Sequence, residues 1–298
     1  MISVQHLKKK FEKECVVDID DVMIERGTIY GLLGSNGAGK TTLLKMLSGI
    51  IKPTTGTILF ENEPIYENKK LKERLIFIPD QPFFFQHYSI RQLADFYREQ
   101  YPSFDEARFN ECEQIFKLDT KKKVHTFSKG MQRQVSFWLA LSAMPDYLIL
   151  DEPFDGLDAV VRKKIKNLIV RDVAERNMTV LISSHNLREV EDLCNYIGII
   201  HRGKYVIHRD IDDLKTDVHK VQIAYKTTPK ALFSNFNVLH HETRGSVHMF
   251  IIKGDLDAID SYIKETAPIL SDVLPLTLEE IFVYEMEGIG YAMDHVLV

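Results

Sequence analysis

The run Gly34-Ser35-Asn36-Gly37-Ala38-Gly39-Lys40-Thr41-Thr42 directly follows the apolar stretch Thr28-Ile29-Tyr30-Gly31-Leu32-Leu33. Glycines at this spacing let backbone N–H groups turn inward around a polyphosphate, Lys40 reaches the β- and γ-phosphates, and the Thr41 hydroxyl is placed to ligate Mg²⁺. Residues 41–48 read as a helix whose positive end favours the anion. Strand, loop and helix in that order point to a protein that handles nucleotide phosphates. A second feature is Tyr147-Leu148-Ile149-Leu150-Asp151-Glu152, four apolar residues ending in two carboxylates. At the C-terminal edge of a buried strand such acids face the ligand crevice. Asp151 would hold Mg²⁺, directly or through water, and Glu152 would polarise the attacking water as general base. Alone, the pair could simply end a strand in solvent. Together with the phosphate loop it favours nucleotide hydrolysis.

The segment Phe127-Ser128-Lys129-Gly130-Met131-Gln132-Arg133-Gln134 resembles the signature sequence of ABC ATPases, usually written Leu-Ser-Gly-Gly-Gln, with Ser128 and Gly130 retained and Lys129 at the first glycine. Such departures look like those of bacterial ABC-2-type exporter subunits. The resemblance implies that this loop and the helix after it cap the γ-phosphate bound to an opposing subunit: Ser128 offers a hydroxyl, Gly130 lets N–H groups approach, and the helix presents its positive end. Asp155-Gly156-Leu157-Asp158 resembles the loop that couples two active sites, and Asp158 also suits capping a helix from Ala159. Ser183-Ser184-His185 is similar to the family's switch-histidine element, which implies a contact from His185 to the γ-phosphate. Phe11 matches the aromatic that stacks on adenine, where a Tyr is more usual. The family's Gln that senses Mg²⁺ and meets the membrane subunit falls on Asp80, with Gln81 one place later, in Ile78-Pro79-Asp80-Gln81-Pro82. An acid there could bind Mg²⁺ through water, but it adds negative charge beside the phosphates. Phe83, Phe84, Phe85 and Tyr88 follow, suited either to a core or to a groove over 82–100 that receives a coupling helix.

By this resemblance the chain is expected to be the ATP-binding, ATP-hydrolysing subunit of an ABC transporter, with ATP and Mg²⁺ as its ligands. Its expected partners are a transmembrane permease and a second ATP-binding subunit, the same chain or a related one, which together sandwich two nucleotides. The implied site comprises Phe11, Gly34, Ser35, Asn36, Gly37, Ala38, Gly39, Lys40, Thr41, Thr42, Asp80, Asp151, Glu152 and His185 of one subunit, with Ser128 and Gly130 of the other. Export follows from the exporter-like features. A soluble ABC ATPase with a mechanical role is the alternative, though such proteins normally carry tandem ATPase halves or a long coiled coil.

The elements that must position these residues fit the 298-residue length and 45% hydrophobic content, enough for one large core and a smaller one. A formal charge of −5 gives no general attraction to nucleic acid. Cys15, Cys112 and Cys194 lack metal-type pairing, which fits a reducing compartment. Nothing approaches the roughly 18–20 apolar residues of a membrane span, so the expected location is cytoplasmic, peripheral on the inner face of the membrane through the permease. Strands are expected over 2–7, 16–24, 28–33 and 57–60, then as short buried parallel strands over 75–78, 147–150, 179–182 and 196–200. Val161, Ile165, Leu168, Ile169 and Val173 recur at helical spacing and predict a helix over 159–176. Ser89 with Gln92, and Ser103 with Glu106, fit capping boxes in a helical insert. The expected fold is an α/β P-loop NTPase of the ABC ATPase type over 1–215, a mixed sheet with a helical subdomain about 85–145, and a small α+β accessory domain over 216–298. In the latter, strands over 218–225 and 248–252 and a helix over 256–266 are expected, and Leu276-Thr277-Leu278-Glu279-Glu280-Ile281-Phe282 is similar to the tail of ABC-2-type exporter ATPases, Thr277 and Glu280 fitting a capping box.

Overall fold

The computed structural model describes residues 1–227, 229 and 232–288; the other positions of the segment expected as the accessory domain lie outside the described residues. The chain forms two compact units, Met1–His208 and Arg209–Val298.

The first unit begins with β1 (Ile2–Phe11), β2 (Glu14–Ile19), β3 (Val22–Ile24), β4 (Ile29–Leu33), α1 (Lys40–Leu47), β5 (Thr55–Phe60), β6 (Glu63–Pro64), α2 (Lys69–Lys72) and β7 (Leu75–Ile78). It continues with α3 (Ile90–Gln100), α4 (Glu106–Phe116), α5 (Lys129–Ser142), β8 (Tyr147–Asp151), α6 (Ala159–Arg176), β9 (Thr179–Ser184), α7 (Leu187–Glu191), β10 (Tyr196–His201) and β11 (Lys204–Asp210), which runs on past the division. The expected strand over 16–24 is two strands in one register along β1, because the pairing is interrupted at Asp20 and Asp21, beside His6 in the left-handed region at φ 46°.

Two sheets result. One has the order β2-β1-β5-β6 with β3 also on β1, and its β1 pairings are antiparallel. The other, β11-β10-β4-β9-β8-β7, is parallel from β10 through β7. Its strands are short apolar runs because covered parallel strands have no solvated face. Leu43, Leu44, Met46 and Leu47 of α1 share a core with Ile2 and Leu7 of β1, Phe60 of β5 and Tyr147 of β8. Burying that face fixes α1, and with it the loop that enters it, over the C-terminal ends of β4 and β8.

The helices between β7 and β8 are held by capping and by buried charge. Ser89 and Gln92 complete a capping box on α3. The expected Ser103–Glu106 box does not form: Asp105 caps α4 by accepting from the Arg108 N–H, while the Ser103 hydroxyl donates to the Ala143 carbonyl at 2.7 Å. A carboxylate one residue before the helix is an equally good cap, and here it wins. Arg108 then reaches Asp172 on α6 at 2.7 Å, with both side chains almost fully buried. Arg108 also pairs with Glu111 at 2.8 Å and Asp172 with Arg176 at 3.1 Å, so the buried contact belongs to a network that ties α4 to α6.

The second unit holds α8 (Ile211–Asp217), β12 (Val218–Ala224), β13 (Asn237–Arg244), β14 (Val247–Lys253), α9 (Leu256–Thr266), β15 (Leu270–Leu274) and α10 (Leu278–Gly288). Its sheet runs β13-β14-β12-β15, antiparallel throughout. Val221, Ile223, Phe250 and Ile252 pack with Ile259 and Ile263 of α9 and with Phe233. The Thr277 N–H donates to Glu280 Oε2 at 3.0 Å and the Glu280 N–H to the Thr277 hydroxyl at 3.2 Å, the expected capping box of α10. Among the described residues no helix is long and apolar enough to cross a membrane.

Candidate nucleotide site

The Gly34–Thr42 loop joins β4 to α1, and its shape depends on missing side chains. Gly39 caps α1 in the left-handed region at φ 106°, where a Cβ would stand 2.8 Å from the Val16 carbonyl. The next residue, Lys40, is 6% exposed. Its ammonium donates to the Gly34 carbonyl at 2.6 Å and the Ser35 carbonyl at 3.4 Å, and lies 3.3 Å from Glu152 Oε1. A cleft of about 380 Å³ opens over this arrangement, lined by Val16, residues 35–42, Asp80 and Glu152. A helix N-terminus and a buried ammonium make it suited to a polyphosphate.

The carboxylates arrive on the end of β8. Asp151 is 2% exposed and accepts the Ser183 hydroxyl at 2.6 Å. That same hydroxyl accepts the Glu152 N–H at 2.9 Å, so one serine on the neighbouring strand β9 orients both acids. Glu152 sits at φ 44°, a left-handed conformation that costs a non-glycine residue about 1–2 kcal/mol. Arg133 on α5 donates to the Glu152 carbonyl and so helps to hold the bend. Beyond the bend, the Glu152 side chain lies between two nitrogens, Oε1 toward Lys40 and Oε2 2.9 Å from His185 Nδ1. His185 follows β9, with Glu189 one helical turn further on, accepting from the Ser184 hydroxyl at 3.4 Å and paired with Arg162 at 2.9 Å. Burial raises the Glu189 carboxyl above its ordinary range, against the pull of Arg162.

Asp80 follows β7 and lines the phosphate-loop cleft, whereas it shares the adjoining recess with Gln81, Lys129, Gln132, Arg133, Asp155 and Gly156. Arg133, 8% exposed, donates to the Asp80 carbonyl and lies 3.1 Å from its carboxylate. Ser128 caps α5 by accepting from the Met131 N–H at 3.3 Å. Gly130 presses on the loop after Glu152: a Cβ there would stand 2.8 Å from the Gly156 carbonyl. Asp158 caps α6 as expected, accepting from Val161 N–H at 2.9 Å. Phe11 lies at the tip of the β1–β2 hairpin, half exposed with the Lys9 ammonium 5.0 Å over its ring, and Val16 on the same hairpin is the residue that lines the cleft. Thus Lys40, Asp80, Glu152 and the loop converge on one cleft, with Asp151 and His185 joined to it through Ser183 and Glu152. Ser128 and Gly130 lie beside the Asp155–Gly156 loop.

Hard oxygen donors dominate this set: the Thr41 hydroxyl, the buried Asp151 carboxylate and Asp80. That chemistry fits Mg²⁺. Glu152, Asp155 and His185 also bring ligand atoms within 4.8 Å of one another.

Arg133 and Ser183 are the residues that motif reading passes over. Each leaves a trace in the sequence, a guanidinium between Gln132 and Gln134 just before the apolar half of α5 and a hydroxyl closing the apolar run of β9, but their partners lie far off in the chain.

Residues 17–155 match the family model described as ABC transporter. The chain is 35% identical to the ABC transporter ATP-binding protein YtrB of Bacillus subtilis over 288 residues, 97% of this chain and 99% of that one.

The chain belongs to the ATP-binding subunits of ABC transporters.

A second relative of this ATP-binding subunit is the bacitracin transport ATP-binding protein BcrA of Bacillus licheniformis, 33% identical over 94% of each chain. A solved structure of cbiO1 from Clostridium perfringens, part of the ABC transporter complex cbiONQ, matches with a TM-score of 0.61 at 27% identity, covering 72% of this chain and 89% of that one. The ATP-binding subunit is an ATPase that energises transport, and members of its family pair with permease components and form dimers.

Proposed function

We propose that two copies of the subunit, or one copy and a related chain, close head to tail on two ATP molecules, each held by the Gly34–Thr42 loop, Asp151, Glu152 and His185 of one copy and by Ser128 and Gly130 of the other. The observation that carries this reading is the Glu152 carboxylate set between Lys40 Nζ at 3.3 Å and His185 Nδ1 at 2.9 Å at the mouth of the loop. Ser128 and Gly130, at the start of α5, lie off that cleft, which supports their use by an opposing subunit.

In this mechanism the loop N–H groups and Lys40 neutralise the β- and γ-phosphates. Thr41 and Asp151 would hold Mg²⁺, with Asp80 reaching it through water, and the ion would draw charge from the phosphoryl oxygens. Glu152 takes the proton of the water that attacks the γ-phosphorus as the bond to the β–γ bridging oxygen breaks and ADP leaves, while His185 orients that carboxylate and contacts the γ-phosphate. Phe11 stacks on the adenine from the hairpin tip. Phe83, Phe85, Tyr88 and Phe96 form an exposed aromatic chain, with neighbouring ring centroids 5.2–6.4 Å apart around Phe85. This patch, directly after Asp80, supports docking of the permease there. Through that partner the subunit works at the inner face of the membrane, and its exporter-like signature supports outward transport; the second unit serves dimer contacts or regulation.

The test is Glu152→Gln in the purified complex with its permease. The amide keeps the shape but cannot take a proton, so ATP should bind, the dimer should remain closed on sizing, and turnover should fall to background. Unchanged turnover would contradict the role given to Glu152.

A further inference from the structure

The β13–β14 hairpin of the second unit closes through the pair Arg244↔Val247, which leaves Gly245 at φ 62° in a two-residue turn. Cross-strand pairing sets His248 opposite Thr243 and Phe250 opposite His241, and the period-2 alternation places all four on one face. That face carries the core further along, where Phe250 packs with Phe233. Near the turn the core gives way to imidazoles. The His241 ring lies flat on Phe250 with centroids 4.1 Å apart and an interplanar angle of 2°, a contact that restricts its rotation.

The nitrogens then meet. His241 Nε2 lies 3.3 Å from His248 Nδ1, and the Thr243 hydroxyl lies 3.4 Å from the first and 3.2 Å from the second. Ligands about 2.0–2.1 Å from a tetrahedral Zn²⁺ stand about 3.3–3.4 Å from one another, so these three atoms mark one face of such a tetrahedron. His241 and Thr243 are exposed, which leaves the fourth position toward solvent. His240 alternates to the opposite face, where its ring meets Tyr284.

We propose that His241 and His248, with the Thr243 hydroxyl as a weaker third ligand, form a binding site for a borderline divalent cation of the zinc class. Two imidazoles and a hydroxyl suit Zn²⁺, Ni²⁺ or Cu²⁺ and are poor ligands for Mg²⁺ or Ca²⁺. A bound ion would pin β13 to β14 beside the turn. The inference is independent of the roles proposed in the nucleotide cleft.

The experiment is an equilibrium titration of the untagged full chain with Zn²⁺ against a chromophoric competitor. The parent should bind one equivalent that His241→Ala and His248→Ala each weaken by more than the roughly 10- to 100-fold that loss of an outer-shell partner costs, with a smaller loss in Thr243→Val. His240→Ala should keep that equivalent, and so should His185→Ala, which separates it from binding at the Glu152, Asp155 and His185 group. His241→Gln and His248→Gln repeat the test at near-equal volume, and an unchanged thermal midpoint without zinc confirms their fold. In the parent, Zn²⁺ should shift the imidazole resonances of His241 and His248. Equal stoichiometry and affinity in the parent and both histidine variants would overturn the proposal, as would loss of the equivalent in His185→Ala alone.

Discussion

Each compact unit seats a lysine against a glutamate, and the two pairs behave differently. In the second unit Lys220 Nζ lies 2.7 Å from Glu280 Oε1, while Oε2 of the same carboxylate closes the capping box of α10, so every charge is consumed in bracing a helix onto a strand. In the first unit Lys40 and Glu152 are further apart, at 3.3 Å. Lys40 divides its protons between that carboxylate and two loop carbonyls, and Glu152 stands on a strained peptide with its other oxygen on His185. A short, locally satisfied pair marks structure. A longer pair on a strained backbone, in an open cleft, marks groups held ready for something else.

The sharpest way to break this contrast is Lys40→Ala. It should lower ATP turnover in the purified complex by about 10²- to 10³-fold, and a fall of only a few-fold would place Lys40 with Lys220 among the braces. Next comes the aromatic patch: Phe83→Ser with Phe85→Ser should abolish co-purification with the permease while nucleotide binding stays at the parent level, and wild-type association would count against the docking surface. A smaller effect separates two neighbours. Asp80→Ala should slow turnover more than Gln81→Ala, since Asp80 faces the phosphate loop and Gln81 the adjoining recess; equal or reversed rates would move the role to Gln81.

The mildest change is Glu280→Gln, which should leave turnover unaltered and lower the stability of the second unit by at most about 1 kcal/mol. Lys220, then the Thr277 N–H, hold the Glu280 carboxyl below its ordinary value of 4.5. Its contribution is therefore complete above that value and fades as pH falls through the depressed one. Urea unfolding of parent and variant should differ at neutral pH and converge in acid. A gap that persists in acid would mean that the pair acts through something other than charge.

Contiguity decided how much could be read from sequence. The phosphate loop, the β8 carboxylates and the α10 capping box each depend on residues a few places apart, whose turn and helix chemistry carries the signal, and the helix over 159–176 was visible from its apolar period. What stayed hidden depends on distance or on weak pattern. Ser183 matters because β9 happens to lie beside β8, and Arg133 because α5 packs over the ends of β7 and β8. β15, an edge strand of Leu270–Leu274, is exposed along nearly its whole length and so lacks the alternation that marks a strand. β13 carries imidazoles where apolar residues would announce it.

Arg133 has one further consequence. Its guanidinium grips the carbonyl of Asp80 and the carbonyl of Glu152 at once. The stretch that begins at Asp80 runs on within a few residues to the exposed rings of Phe83 and Phe85, so one planar guanidinium ties the segment proposed to dock the permease to the peptide that carries the proposed general base.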